Sequence, residues 1–195
     1  MNTPPLAISR VPSTLIKPLN FLLLQAGWWA GVLSAANQQA WLGVLVISVI
    51  VALHVTLSDH SRAEFKLVLA AIAIGLLWDS LLVQAGWIVY APTNWPPALA
   101  PLWILAMWAG FATTLNVSLN WLHGRYWLAA LFGAIGGPLS YWAGAELGAA
   151  HLAAPLPALT ALTLGWAVIT PMLLRVAASL YAHDPVLTQA WRKLT

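Results

Sequence analysis

Apolar residues in this chain gather in long unbroken runs, and the polar residues that separate them come in short clusters. Each run approaches or exceeds the roughly 18 residues that let a helix cross a bilayer. The pattern predicts six helices over residues 18–36, 41–57, 64–90, 101–122, 127–150 and 157–182. Between them stand polar or proline-rich turns such as SDHSRAE at 58–64, APTNWPPALA at 91–100 and HGRY at 123–126. The fold class read from this pattern is all-α, a polytopic membrane bundle of six transmembrane helices over 18–182. Residues 1–17, with three prolines and no apolar periodicity, read as a flexible cytoplasmic tail. Residues 183–195 read as a short amphipathic interfacial helix, because Val186, Leu187, Ala190, Trp191 and Leu194 share one face. The first helix reads as a retained anchor, not a cleaved signal, since its apolar run exceeds the roughly 7 to 15 residues of a signal core.

Composition sharpens this picture. With 61% hydrophobic and 7% charged residues among 195, the chain has too few charges to cover a soluble globule of its size. The basic residues Arg10, Lys17, Arg62, Lys66, Arg125, Arg192 and Lys193 all fall on the side of the two termini. The positive-inside rule then makes both termini cytoplasmic. No nucleic-acid partner is expected, because the positive charge is scattered over helix ends. Tryptophans 41, 87, 95 and 103 near one boundary and 121, 127 and 191 near the other read as interface anchors. The chain has no cysteine, and its five histidines show no paired spacing, so no cofactor and no metal site is expected.

Two segments repeat: LLLQAGW at 22–28 and LLVQAGW at 81–87, with LHVTL, LNVSL and LRVA echoing one another in the second, fourth and sixth helices. A weaker Glu146 and Gly148 pair in the fifth helix falls in step. A spacing near about 60 residues suggests three tandem helical hairpins, although Leu, Val and Ala match by chance in any spanning helix.

Asp79 is the centre of the candidate chemistry. A carboxylate at hydrocarbon depth costs several kcal/mol, so it should face other helices, find hydrogen-bond donors, or stay protonated. At about 1.5 Å per residue, Asp79, Ser140 and Tyr141 lie about 20 Å from the cytoplasmic helix ends, and the two hydroxyls are its expected partners. Thr113, Asn116 and Asn120 would form a polar stripe along the fourth helix, with Thr113 and Asn116 included in an intramembrane polar site. Asn116 falls in a shallower layer with Gln25, His54 and Arg175, and Arg175 suits an anionic lipid headgroup. On the fifth helix Gly133, Gly137, Gly144 and Gly148 share an arc with Ser140, the small-residue pattern that lets two backbones approach. Pro138 should free the carbonyl of Ala134.

The run FATTLNVSLNWL followed by GAIGGPLSYWAGAELGA resembles a family of small proteobacterial inner-membrane proteins that carries a domain of unknown function. The likeness extends over about residues 20–182. It implies localisation and a multi-pass topology, and no activity or binding residue. Three function classes compete. Binding or transport of a small or lipidic molecule around Asp79 is favoured, because a midplane ionisable residue, glycine-rich helices and a proline-broken helix are what a ligand or proton path uses. The alternatives are a membrane-embedded lipid-modifying enzyme and a structural subunit of a membrane complex. Catalysis is weakened without being excluded, since no histidine stands at the level of Asp79 to complete an acid–base set. The partners expected are membrane lipids, a lipidic or small-molecule ligand, and a membrane protein.

Overall fold

The computed structural model describes residues 13–183. Of the expected tail over 1–17, residues 1–12 lie outside the described residues, as does the expected C-terminal helix beyond its first residue, whereas 13–17 belong to the first helix and are not a tail. Six α-helices follow one another: α1 (Ser13–Ala36), α2 (Ala40–Leu57), α3 (Ser61–Gln84), α4 (Leu102–Ala112), α5 (Tyr126–Glu146) and α6 (Pro155–Ala182). A two-stranded ribbon is inserted among them, β1 (Ile88–Tyr90) after α3 and β2 (Ala150–Leu152) after α5. Helix α1 packs on α2, α3 on α4, and α5 on α6. Helix α4 also meets α1 and α2, which leaves it enclosed on several sides.

Four helices, α1, α2, α3 and α6, are long and apolar enough to cross a membrane, and they mark the chain as a membrane protein. Helix α5 has 21 residues, but its glycines, Pro138 and hydroxyl side chains keep it out of that set. Helix α4 ends at Ala112 and not at 122 as expected. Its 11 residues reach about 16 Å, roughly half of a 30 Å hydrocarbon core. The chain then runs through hydrogen-bonded turns over 113–119, in which Thr113, Thr114 and Leu115 bond back to Gly110, Phe111 and Ala112. Thr113 and Thr114 also turn their hydroxyls back onto the carbonyls of Gly110 and Phe111, each at 2.7 Å. Such local bonds compete with continuation of a helix.

Helices α3 and α5 also stop short of the expected 90 and 150, and for one shared reason. Each ends on a glycine in the left-handed region, Gly86 at φ +71° and Gly148 at φ +86°. In both, the glycine N–H bonds three residues back, to Val83 or Ala145. The next N–H bonds five back, Trp87 to Leu82 and Ala149 to Gly144. This is the Schellman stop, which closes the open carbonyls of a helix end. The chains then leave both helices in extended form and pair antiparallel, with Ile88 opposite Leu152 and Tyr90 opposite Ala150. Gly27 in the other LQAGW copy lies inside α1, so the two copies take different backbone conformations.

Candidate functional site

Asp79 is fully buried on α3. Its Oδ1 accepts from the Tyr90 hydroxyl at 2.5 Å and the Tyr141 hydroxyl at 2.7 Å, and its Oδ2 accepts from Trp108 Nε1 at 2.6 Å. Three elements thus converge on one carboxylate: β1 through Tyr90, α4 through Trp108 and α5 through Tyr141. The ribbon delivers Tyr90, and Gly75 makes room for Trp108. A Cβ at Gly75, one turn before Asp79, would fall inside the Trp108 indole.

The partnership with Tyr141 is the expected one, whereas the expected partnership with Ser140 is not present. Consecutive helix residues point about 100° apart, so at one depth only one of the pair can face Asp79. Ser140 instead accepts from Trp28 Nε1 of α1 at 2.8 Å. Thr113 and Asn116 do not join Asp79 either, because α4 has ended before them. The carbonyl of Thr113 accepts from Asn20 Nδ2 at 3.1 Å, and Asn20 Oδ1 accepts from the Ser118 hydroxyl at 2.7 Å. Asn116 donates to Glu64 Oε1 at 3.1 Å.

Glu64 is a second buried acid that sequence reasoning placed in a loop end and passed over. It is 1% exposed. Besides Asn116 it accepts from the Tyr181 hydroxyl of α6, and its Oε2 lies 3.1 Å from His54 Nε2 of α2. His60 packs its ring against Tyr181 with centroids 4.6 Å apart. The shallower layer read from the sequence therefore holds His54 and Asn116, but its organiser is Glu64. Arg175 lies with its guanidinium carbon 4.6 Å over the Tyr126 ring.

All three partners of Asp79 line one cavity of about 250 Å³ among α1, β1, α4, α5 and α6. Asp79 stands behind that wall and does not itself line the space. Trp166 of α6 organises the aromatic surface. It stacks on Trp108 with centroids 4.7 Å apart and planes 14° from parallel, and Phe111 meets it edge-on at 5.2 Å. Trp103, expected as an interface anchor, is buried in this wall, edge-on to Tyr90 at 5.7 Å.

The glycine arc of α5 divides by function. Gly133 and Gly137 seat α6, because a Cβ at Gly137 would fall inside the Trp166 indole and one at Gly133 would strike the Trp166 carbonyl and Thr170. The contact at Gly137 is glycine against tryptophan, not backbone against backbone as expected. Gly144 is not tightly packed, since a Cβ there would find only Val32 at 3.9 Å. Gly148 serves the helix stop. Backbone approach occurs at Gly133, where a Cβ would strike the Trp166 carbonyl oxygen, and in the first hairpin, where a Cβ at Gly43 would come within 2.6 Å of the Gly31 Cα.

Contacts of α1 with α5 advance in step, Trp28 with Ser140, Val32 with Gly144 and Ala36 with Gly148, so the two helices run parallel. On the other side of the Trp28–Ser140 bond, Phe21 and Gln25 of α1 and Phe132 and Gly136 of α5 line the cavity and are exposed. The opening therefore faces sideways, between two helices.

A family model described as "Protein of unknown function (DUF2878)" matches residues 17–172. No curated protein and no solved structure matches the chain.

Proposed function

We infer that this chain, which belongs to the DUF2878 family of proteins of unknown function, binds a small or lipidic molecule inside the membrane, in the aromatic cavity backed by Asp79. The observation that carries this reading is the convergence of all three donors to one buried carboxylate on the wall of a single cavity. A buried acid with three donors fixes the rings of Tyr90, Trp108 and Tyr141, and a fixed wall is what a binding site needs before its ligand arrives. The cavity volume of about 250 Å³ exceeds the roughly 150 Å³ of an engineered apolar cavity that takes up benzene. Its sideways mouth suits a ligand that arrives from the lipid phase. Catalysis has less support, because no charged or histidine side chain lines the space. The same reading makes the protein a multi-pass inner-membrane protein with both termini cytoplasmic, supported by the one-sided basic residues.

Gly136 offers the direct test. It lines the cavity, and nothing stands within 4 Å of where its Cβ would be. Gly136→Leu therefore branches from a Cβ that meets no neighbour, and it removes a helix-weakening glycine. Native mass spectrometry of gently purified protein should find a bound small molecule or lipid in the parent and lose it in Gly136→Leu, at an unchanged melting temperature. Equal occupancy in both proteins would overturn the cavity as the site. A stoichiometric membrane protein in place of any ligand would favour a structural subunit.

A further inference from the structure

The cavity wall offers a bound molecule little polar contact. Tyr90, Tyr141 and Trp108 direct their donors to Asp79 behind the wall, and Ser140 Oγ takes the Trp28 N–H. The Thr170 hydroxyl packs against Gly133 in the contact of α5 with α6, and Gln25 stands exposed at the mouth. The lining is also long. It runs about 16 Å along α1, from Phe21 to Val32, and about 18 Å along α5, from Phe132 to Gly144. Past the Trp28–Ser140 bond the space continues behind Val32 and Gly144, both buried. A long apolar space that follows a spanning helix has the shape and direction of an acyl chain in one leaflet.

A chain already in lipid gains little by entering an apolar cleft, so discrimination among lipids has to come from the headgroup. Two cations stand where a headgroup would be. Lys17 lies one turn before Phe21 on the same face of α1, and Arg125, the residue that precedes α5, lies two turns before Phe132 on the same face of that helix. Because α1 and α5 run parallel, both cations stand at the same end of the cavity, and both are exposed. Neither makes an ion pair among the described residues. The described acids lie elsewhere: Glu64 and Asp79 are buried, Glu146 ends α5 at the opposite boundary, and Asp59 is in the loop between α2 and α3. Resting on the cavity reading above, we propose that the ligand is an acidic phospholipid of the leaflet in which α1 begins, one acyl chain laid lengthwise in the cavity and its phosphate paired with Lys17 and Arg125. Its second chain stays in the bilayer outside Phe21 and Phe132. Each cation near the membrane surface is worth about fivefold in affinity for an acidic lipid.

The test titrates the full chain in detergent with dioleoylphosphatidylglycerol and with dioleoylphosphatidylethanolamine, which share their chains and differ in headgroup charge. Binding is read by native mass spectrometry. Phosphatidylglycerol should bind tighter, Lys17→Gln and Arg125→Gln should each weaken it about fivefold while leaving phosphatidylethanolamine unchanged, and Lys17→Arg should retain it. Gly136→Leu should weaken both lipids. A phosphatidylglycerol with a diazirine in one acyl chain should crosslink to Trp28 or Tyr141 in the parent and not in Gly136→Leu. If the two lipids bind equally, or if the charge variants have no effect while Gly136→Leu still blocks binding, the acidic headgroup is wrong and the cavity reading stands. Crosslinks confined to outward residues such as Leu22 and Leu131 and unmoved by Gly136→Leu would overturn the proposal, and loss of the co-purified molecule in that variant would then leave the cavity to another ligand. Retention by Gly136→Leu of both the added lipid and the co-purified molecule overturns both readings.

Discussion

At the scale of the residue, Asp79 is less an open reactive acid than a fixed acceptor. Each of its three bonds joins it to a different element, so its replacements should rank by how many donors they leave unpaired. Asp79→Asn keeps one oxygen, and the two phenols can rotate to accept from its amide, while the Trp108 N–H can only donate. Asp79→Leu leaves all three without an acceptor, at about 1 to 3 kcal/mol for each buried group. Melting in detergent should therefore fall in the order parent, Asp79→Asn, Asp79→Leu, with Asp79→Asn losing about 2 kcal/mol. Equal melting of all three would show that the carboxylate holds nothing together. The acid and Tyr141 were legible in the sequence, because depth along a helix can be counted from residue number. Tyr90 and Trp108 were not, since one arrives on a strand hidden in an apolar run and the other sits on a helix whose register toward α3 is set by Gly75. Glu64 was missed because proximity to a polar loop is the ordinary sign of a solvated side chain.

At the scale of the element, packing here rests on glycine paired with tryptophan. Gly75 receives Trp108, Gly137 receives Trp166 and Gly165 receives Trp78, whereas Gly144 faces open space with Val32 at its edge. Gly75→Ala and Gly137→Ala should each destabilise the protein by about 1 to 3 kcal/mol as overpacked sites. Gly144→Ala should be neutral or slightly stabilising, because alanine is the better helix former. Differential scanning fluorimetry of the three variants decides this, and a loss at Gly144 equal to that at Gly137 would contradict the division of the arc. A glycine stripe on α5 was readable from spacing alone, but spacing does not tell a small residue that admits a ring from one that admits a backbone. Helix ends were misread for a related reason. Gly86 and Gly148 look the same in a string of apolar letters as Gly27 does, and only their positive φ, closed by the bonds of the following residue, makes them stops.

At the scale of the whole molecule, the long apolar runs made a membrane protein legible, while the number of full crossings was harder to read, because α4 shares the composition of a span and not its length. The two buried acids divide the bundle between them. Asp79 ties α3, β1, α4 and α5, and Glu64 ties α2, α3, the segment after α4, and α6. Reporter fusions test the orientation of this assembly. Fusions after Arg62 and after Arg125 should report the cytoplasmic side, and a periplasmic signal from either would overturn it.

The early end of α4 bears on what the rest of the bundle must supply. Eleven helical residues followed by turns cannot rest in lipid alone, because backbone polar groups without helical partners are tolerated at membrane depth only where protein surrounds them. The groups that receive the turns over 113–119 are Asn20 of α1 and Glu64 of α3, both synthesised earlier. The half-length fourth helix therefore depends on α1 and α3 for the partners that satisfy the turns after it.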